Sequence, residues 1–120
     1  PKADRLGGDF QPAERPAGPA VAIVIDFDDG LVKHYQLAWR GNMTVLDALG
    51  DASLRQRGIR YETKGSGDMT MIVAIDGLAN EGGGGRNWIY RVNGKLAQKS
   101  CGVYEVQAKD VILWTFGTYE

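Results

Sequence analysis

The side chains able to do chemistry are few and scattered. The chain has one histidine, His34, and one cysteine, Cys101. A serine or cysteine nucleophile needs a base such as histidine, itself held by a third group. No nucleophile is tied to His34 by spacing, and on a strand it shares a face with Val32, Gln36 and Ala38, away from Tyr35 and Trp39. Cys101 stands beside Gly102, with Lys95 and Lys99 near enough in sequence to lower its pKa a little. It reads as an incidental thiol, a redox or dimerising role being the alternative, and a single cysteine makes no internal disulfide and no multi-cysteine metal site. Asp26, Asp28 and Asp29 gather three carboxylates that a hard cation such as calcium could use. Asp-Gly is also ordinary turn chemistry, six oxygen ligands are not evident, and the plain reading is a soluble hairpin end. Gly82 to Gly85 followed by Arg86 has the look of a phosphate cradle, but the Gly-Lys-Ser/Thr ending and the following helix are lacking, so the run is expected to be a mobile loop. With no paired acid, base or nucleophile, the expectation is a protein that is not an enzyme, with no metal and no cofactor.

Apolar side chains offer more. Trp39, Trp88 and Trp114 could line a ligand surface. Trp88 and Trp114, however, alternate in phase with Tyr90, Val92, Ile112 and Phe116, which is a core pattern. Met69 and Met71 sit beside the Gly65-Ser66-Gly67 turn, where unbranched thioethers could adapt to an irregular partner, with core filling as the alternative.

The elements that position these residues follow from periodicity. All four prolines fall within residues 1–19, which reads as an extended arm or linker ahead of a single domain over 20–120. Val21, Ile23, Ile25 and Phe27 alternate with smaller or polar residues as a strand, Asp29-Gly30 suits a two-residue turn, and Leu31 to Trp39 returns. Thr44 and Asp47 have the form of a capping box before Val45, Leu46, Ala48, Leu49 and Ala52, predicting a helix of about three turns that Gly58 ends in the left-handed conformation. Gly50 within it costs about 1 kcal/mol relative to alanine. Period two then returns through Ile59 and Tyr61, Met69 to Ile75, Trp88 to Val92, and Ile112 to Phe116. Asn93-Gly94 between Val92 and Lys95 is the strongest hairpin signal in the chain.

Composition excludes several classes. Fourteen basic and fifteen acidic residues leave a net charge of -1 with the signs mixed, so nothing marks a nucleic-acid surface. The longest apolar run, Ala20 to Ile25, is strand length, far short of the ~18 residues that span a bilayer. The sequence opens at Pro1 rather than at a methionine, as expected of a trimmed chain or one that has lost a signal peptide.

Hairpin, helix and further strands in this order predict an α+β fold, a β-grasp with a mixed sheet and one main helix packed on one face. Specific residues sharpen it: Thr44-Val45-Leu46-Asp47-Ala48-Leu49, Gly58-Ile59-Arg60-Tyr61-Glu62-Thr63, Ile75-Asp76-Gly77, Trp88 to Lys95, and Tyr104 before Asp110-Val111-Ile112-Leu113-Trp114. As an ordered set these resemble the transcobalamin-like C-terminal domain family, uncharacterised bacterial β-grasp domains related to the small domain of transcobalamin and intrinsic factor. The resemblance implies a non-enzymatic module of an exported protein, secreted, periplasmic or at the cell surface, that binds or caps a small organic ligand. A cobalamin-like corrinoid is the first guess, and a second domain or protein partner is expected beside it. It implies ligand-binding positions at Tyr61, Thr63, Ser66, Met69 and Met71. Two departures stand out. The family's Gly-Asp before the last strand is Lys109-Asp110 here. The large helical domain that supplies most corrinoid contacts in transcobalamin-like proteins has no counterpart in this sequence, so at most half of such a site is expected. The competing expectation is a structural or interaction module that acts through an exposed sheet edge.

Overall fold

The computed structural model describes residues 16–119. Strand β1, Ala20–Asp26, buries Val21, Ile23 and Ile25 and turns their neighbours outward, as the period of two requires. It pairs antiparallel with β2, Val32–Ala38. The connection is longer than a two-residue turn. Pairing stops at Asp26 and Val32, Phe27 N–H bonds to the Leu31 carbonyl, and it is Asp28 with Gly30, not Asp29, that takes positive φ. Asp26 accepts the Asp28 amide at 2.9 Å and Asp29 accepts the Leu31 amide at 2.9 Å, so these carboxylates tie the turn together. Most of the proline-rich stretch 1–19 lies outside the described residues.

Helix α1, Val45–Ser53, begins with the capping box: Asp47 N–H donates to Thr44 Oγ1, and Thr44 N–H to the Asp47 carboxylate, each at 3.0 Å. Val45, Ala48, Leu49 and Ala52 form its buried stripe over the sheet. The helix ends at Ser53, earlier than Gly58, and Gly58 does not adopt positive φ. A Cβ on Gly58 would stand 2.5 Å from the Ala52 carbonyl oxygen and 2.9 Å from those of Arg55 and Ser53. Close approach to the helix end, rather than left-handed geometry, therefore demands glycine there.

The remaining strands divide between two sheets. Strands β6 (Asn87–Val92), β7 (Lys95–Leu96) and β8 (Val111–Gly117) join the first hairpin in the order β2-β1-β8-β6-β7, with β1 and β8 parallel and the other pairs antiparallel, a mixed sheet. Strands β3 (Tyr61–Lys64), β4 (Met71–Ile75) and β5 (Leu78–Ala79) form a separate antiparallel sheet. Trp88, Tyr90, Val92, Ile112, Trp114 and Phe116 are buried in one core with β1 and α1. Asn93-Gly94 has positive φ at both residues and closes β6 onto β7 as the sequence predicts. The result is an α+β fold of the β-grasp kind.

Two loops behave differently from expectation. Met69 belongs to a short 3₁₀ turn, Gly67–Met69, rather than to a strand, and the row expected from Met69 to Ile75 splits: Ile72, Ala74 and Ile75 face the core while Met71 does not. The glycine run is a pinned turn. Gly85 N–H bonds to the Gly82 carbonyl, Glu81 and Arg86 exchange backbone and side-chain hydrogen bonds, and Asn87 accepts from the Gly82 amide and donates to the Gly82 and Gly85 carbonyls.

Candidate functional site

A groove of about 660 Å³ crosses the face of the small sheet and reaches the start of β6. Its β3 wall is Glu62 and Lys64, its floor Met71 and Val73, and Trp88 and Tyr119 stand at the far side. Cross-strand pairing of Lys64 with Met71 puts the two side chains together. The irregularity between Glu62 and Thr63 shifts the register.

Asn80 joins the two sheets at this groove. Its side-chain carbonyl accepts the Trp88 amide at 2.8 Å while its amide donates to the Ile72 carbonyl at 2.9 Å. One side chain thus substitutes for a strand-to-strand peptide contact between β6 and β4. Beside it, Glu81 accepts the Arg86 amide at 2.8 Å, and that hydrogen bond, seconded by the paired Arg86 guanidinium, holds its carboxyl below its ordinary pKa. Arg86 also pairs with Asp28 at 3.3 Å and lies 5.0 Å from the Phe116 ring centroid, linking the glycine turn to the first hairpin. The groove therefore has an apolar floor, an aromatic end and an ionised rim.

Of the five sequence-derived positions, only Met71, 49% exposed, lines the groove. Met69 is 75% exposed on the neighbouring turn, and Thr63 and Ser66 are exposed nearby. Tyr61 turns the other way, packing on the core with its hydroxyl toward α1. Sequence reasoning missed Lys64, Val73, Asn80 and Tyr119. The resemblance pointed to Tyr61 and Thr63; strand alternation puts Glu62 and Lys64 on the opposite row, and that signal was present in the sequence.

Cys101 is buried in the core, and burial raises its thiol pKa to about 11, the opposite of the lowering expected from Lys95 and Lys99. His34 is exposed on the outer row of β2. Among the described residues, no group of three or more His, Cys, Asp or Glu could share a metal ion, and no helix is long and apolar enough to cross a membrane.

Comparison with known proteins comes to rest on the fold. Residues 42–118 match the family described as Domain of unknown function (DUF4430). No curated protein matches the chain. Among solved structures, haptocorrin in complex with Cbi superposes with a TM-score of 0.73 at 13% identity, covering 85% of this chain and 25% of that one. A candidate metal-binding protein from Ruminococcus gnavus ATCC 29149 superposes with a TM-score of 0.67 at 12% identity, covering 85% of this chain and all of the other. This chain thus spans a quarter of the haptocorrin chain. At such identities the likeness is one of fold.

Proposed function

We propose that this chain, which belongs to the DUF4430 family, is a non-enzymatic β-grasp module that binds or caps a small organic ligand, with a corrinoid as the first ligand to try. The observation that carries the reading is the groove itself: about 660 Å³, the size of a small-molecule site, floored by Met71 and Val73 and ending at Trp88 and Tyr119. An exposed thioether beside an apolar floor suits a broad, irregular ligand surface. Haptocorrin, in complex with Cbi, has the same fold in a quarter of its chain, which supports a module that contributes one wall and relies on a second domain or partner for the rest. An exported setting, secreted, periplasmic or at the cell surface, goes with this reading.

Trp88 lines the groove and provides the test. Titration with cobalamin and related corrinoids is expected to quench tryptophan emission saturably, and Met71→Asp to weaken that binding by about tenfold through a charge placed on the apolar floor. Unchanged emission at high micromolar corrinoid would remove the corrinoid assignment.

The edge-pairing alternative has less to work with. The long edge strand β2 has its Gln36 carbonyl occupied by the Arg55 guanidinium at 2.5 Å, the small sheet's edge β3 is four residues long, and β5 and β7 are two residues each. A stable dimer in solution would return the reading to that alternative. A metal-binding role finds no donor cluster among the described residues.

A further inference from the structure

The chain has three methionines, and the fold gives each a different setting. Met43 is fully buried in the core, at 0% exposure. Met69 is 75% exposed on the Gly67–Met69 turn and stands outside the groove. Met71 is 49% exposed and forms part of the groove floor. It also lines a second hollow of about 260 Å³, walled from β4 and β6, which shares Trp88 and Tyr119 with the groove. One thioether therefore faces both spaces.

A thioether sulfur has no proton to lose before it reacts with an oxidant, so access separates the three. The thiol that would compete is withdrawn. Cys101 is 3% exposed, and burial pushes its pKa up to about 11, which leaves little thiolate at neutral pH. Met69 and Met71 are thus the first sulfurs that a peroxide meets. Oxidation turns a flexible apolar side chain into a polar one. At Met69 the new oxygen stands in solvent. At Met71 it lies on the floor that a ligand would cover. Water solvates it while the groove is empty, and an apolar ligand seated there displaces that water at a cost.

We propose that Met71 is a reversible oxidation site that switches the groove off, while Met69 is oxidised beside it without effect on binding. The switch rests on the groove being the ligand site. The oxidant is a hydroperoxide, of which hydrogen peroxide is the simplest. A lone pair of the Met71 sulfur attacks one peroxide oxygen, and the S–O bond forms as the O–O bond breaks. The displaced hydroxide takes the proton of the transferred oxygen and leaves as water. Sulfur has then given two electrons to the peroxide. Methionine sulfoxide reductases reverse the step with a dithiol, which removes the oxygen as water and becomes a disulfide.

Folded protein treated with hydrogen peroxide and mapped by peptide mass is expected to gain oxygen at Met69 and Met71 at least about tenfold faster than at Met43, a difference that disappears in denaturant. Met43 keeping pace with Met71 in the folded state would overturn the site. Once catalase has destroyed the peroxide, cobalamin is titrated against tryptophan emission in wild type, Met69→Leu and Met71→Leu. Oxidation is expected to weaken binding about tenfold in wild type and Met69→Leu and to leave Met71→Leu unaffected. Treatment with methionine sulfoxide reductases and dithiothreitol should restore it. Unchanged binding after oxidation, as when Lys64 across the strand pair satisfies the new oxygen, would overturn the switch. An equal loss in Met71→Leu, or no recovery with the reductases, would do the same. Reduced protein that leaves cobalamin unbound would remove the corrinoid reading and the switch together, whereas failure of the switch alone shows as equal binding before and after oxidation.

Discussion

The Tyr61 hydroxyl stands 3.3 Å from the point that a Cβ on Gly50 would occupy. A glycine that weakens α1 by its own propensity thereby lets the first strand of the small sheet close against the helix. Alanine at position 50 would raise helix propensity by about 1 kcal/mol and press on Tyr61 at the same time. Gly50→Ala alone is therefore expected to change stability little, whereas in a Tyr61→Phe background it should stabilise by about 0.5–1 kcal/mol. A double-mutant cycle from denaturant unfolding measures the difference, and simple additivity would show that the two residues do not press on one another.

Lys109 has φ +75°, in the left-handed region, and its amide bonds to the Ala20 carbonyl at 2.7 Å where the chain enters β8. A side chain there costs about 1–2 kcal/mol, partly offset by the greater freedom glycine has in the unfolded chain. Lys109→Gly is expected to stabilise by about 0.5–1 kcal/mol, seen as a higher denaturant midpoint at unchanged slope. A lower midpoint would mean that the lysine side chain contributes more than its backbone strain removes.

Asn80 is the only side chain described here as bonding both β4 and β6. Asn80→Ala strands the Ile72 carbonyl and the Trp88 amide in a half-buried setting, and a loss of about 2–3 kcal/mol is expected. Asn80→Asp keeps the acceptor and loses the donor, so it should fall between wild type and alanine. If both variants unfold at the wild-type midpoint, the two sheets are held by apolar packing alone.

Cys101 and Tyr90 both have pKa values raised by burial, that of Cys101 to about 11 from an ordinary 9.0. The folded state thus holds its protons more tightly than the unfolded chain. The stability this contributes is complete below pH 9 and is lost as pH rises toward 11, because unfolding then lets the groups ionise. Each such group adds a slope of about 1.4 kcal/mol per pH unit within its window. Cys101→Ala should flatten the fall between pH 9 and 11, and in the folded wild type the thiol should react with iodoacetamide at pH 8 only on unfolding. Rapid alkylation of the folded protein would contradict this.

The local features were legible because each depends on neighbours in sequence. The Thr44–Asp47 cap, the Asn93-Gly94 turn and the alternating rows at Val21 to Ile25, Trp88 to Val92 and Ile112 to Phe116 all take the predicted form. The first turn was misplaced because Asp28 and Asp29 are both able to adopt positive φ, and strand register decides between them. Gly58 was misread because its need for glycine comes from carbonyls crowding it in space.

The site shows where that legibility stops. Period two says that Met71 and Val73 share one row and Ile72 and Ala74 the other, but not which row the helix and the large sheet will cover. The sequence by itself determined the elements, the capped helix, the tight hairpin and an α+β order of strands, since backbone sterics and side-chain spacing act over a few residues. Only the tertiary structure decided that β1 runs parallel to β8, that β3 to β5 leave the main sheet, and that Met71, Trp88 and Tyr119 meet between two hollows. Those outcomes depend on which apolar rows bury one another across long stretches of chain, a competition that spacing along the sequence does not record.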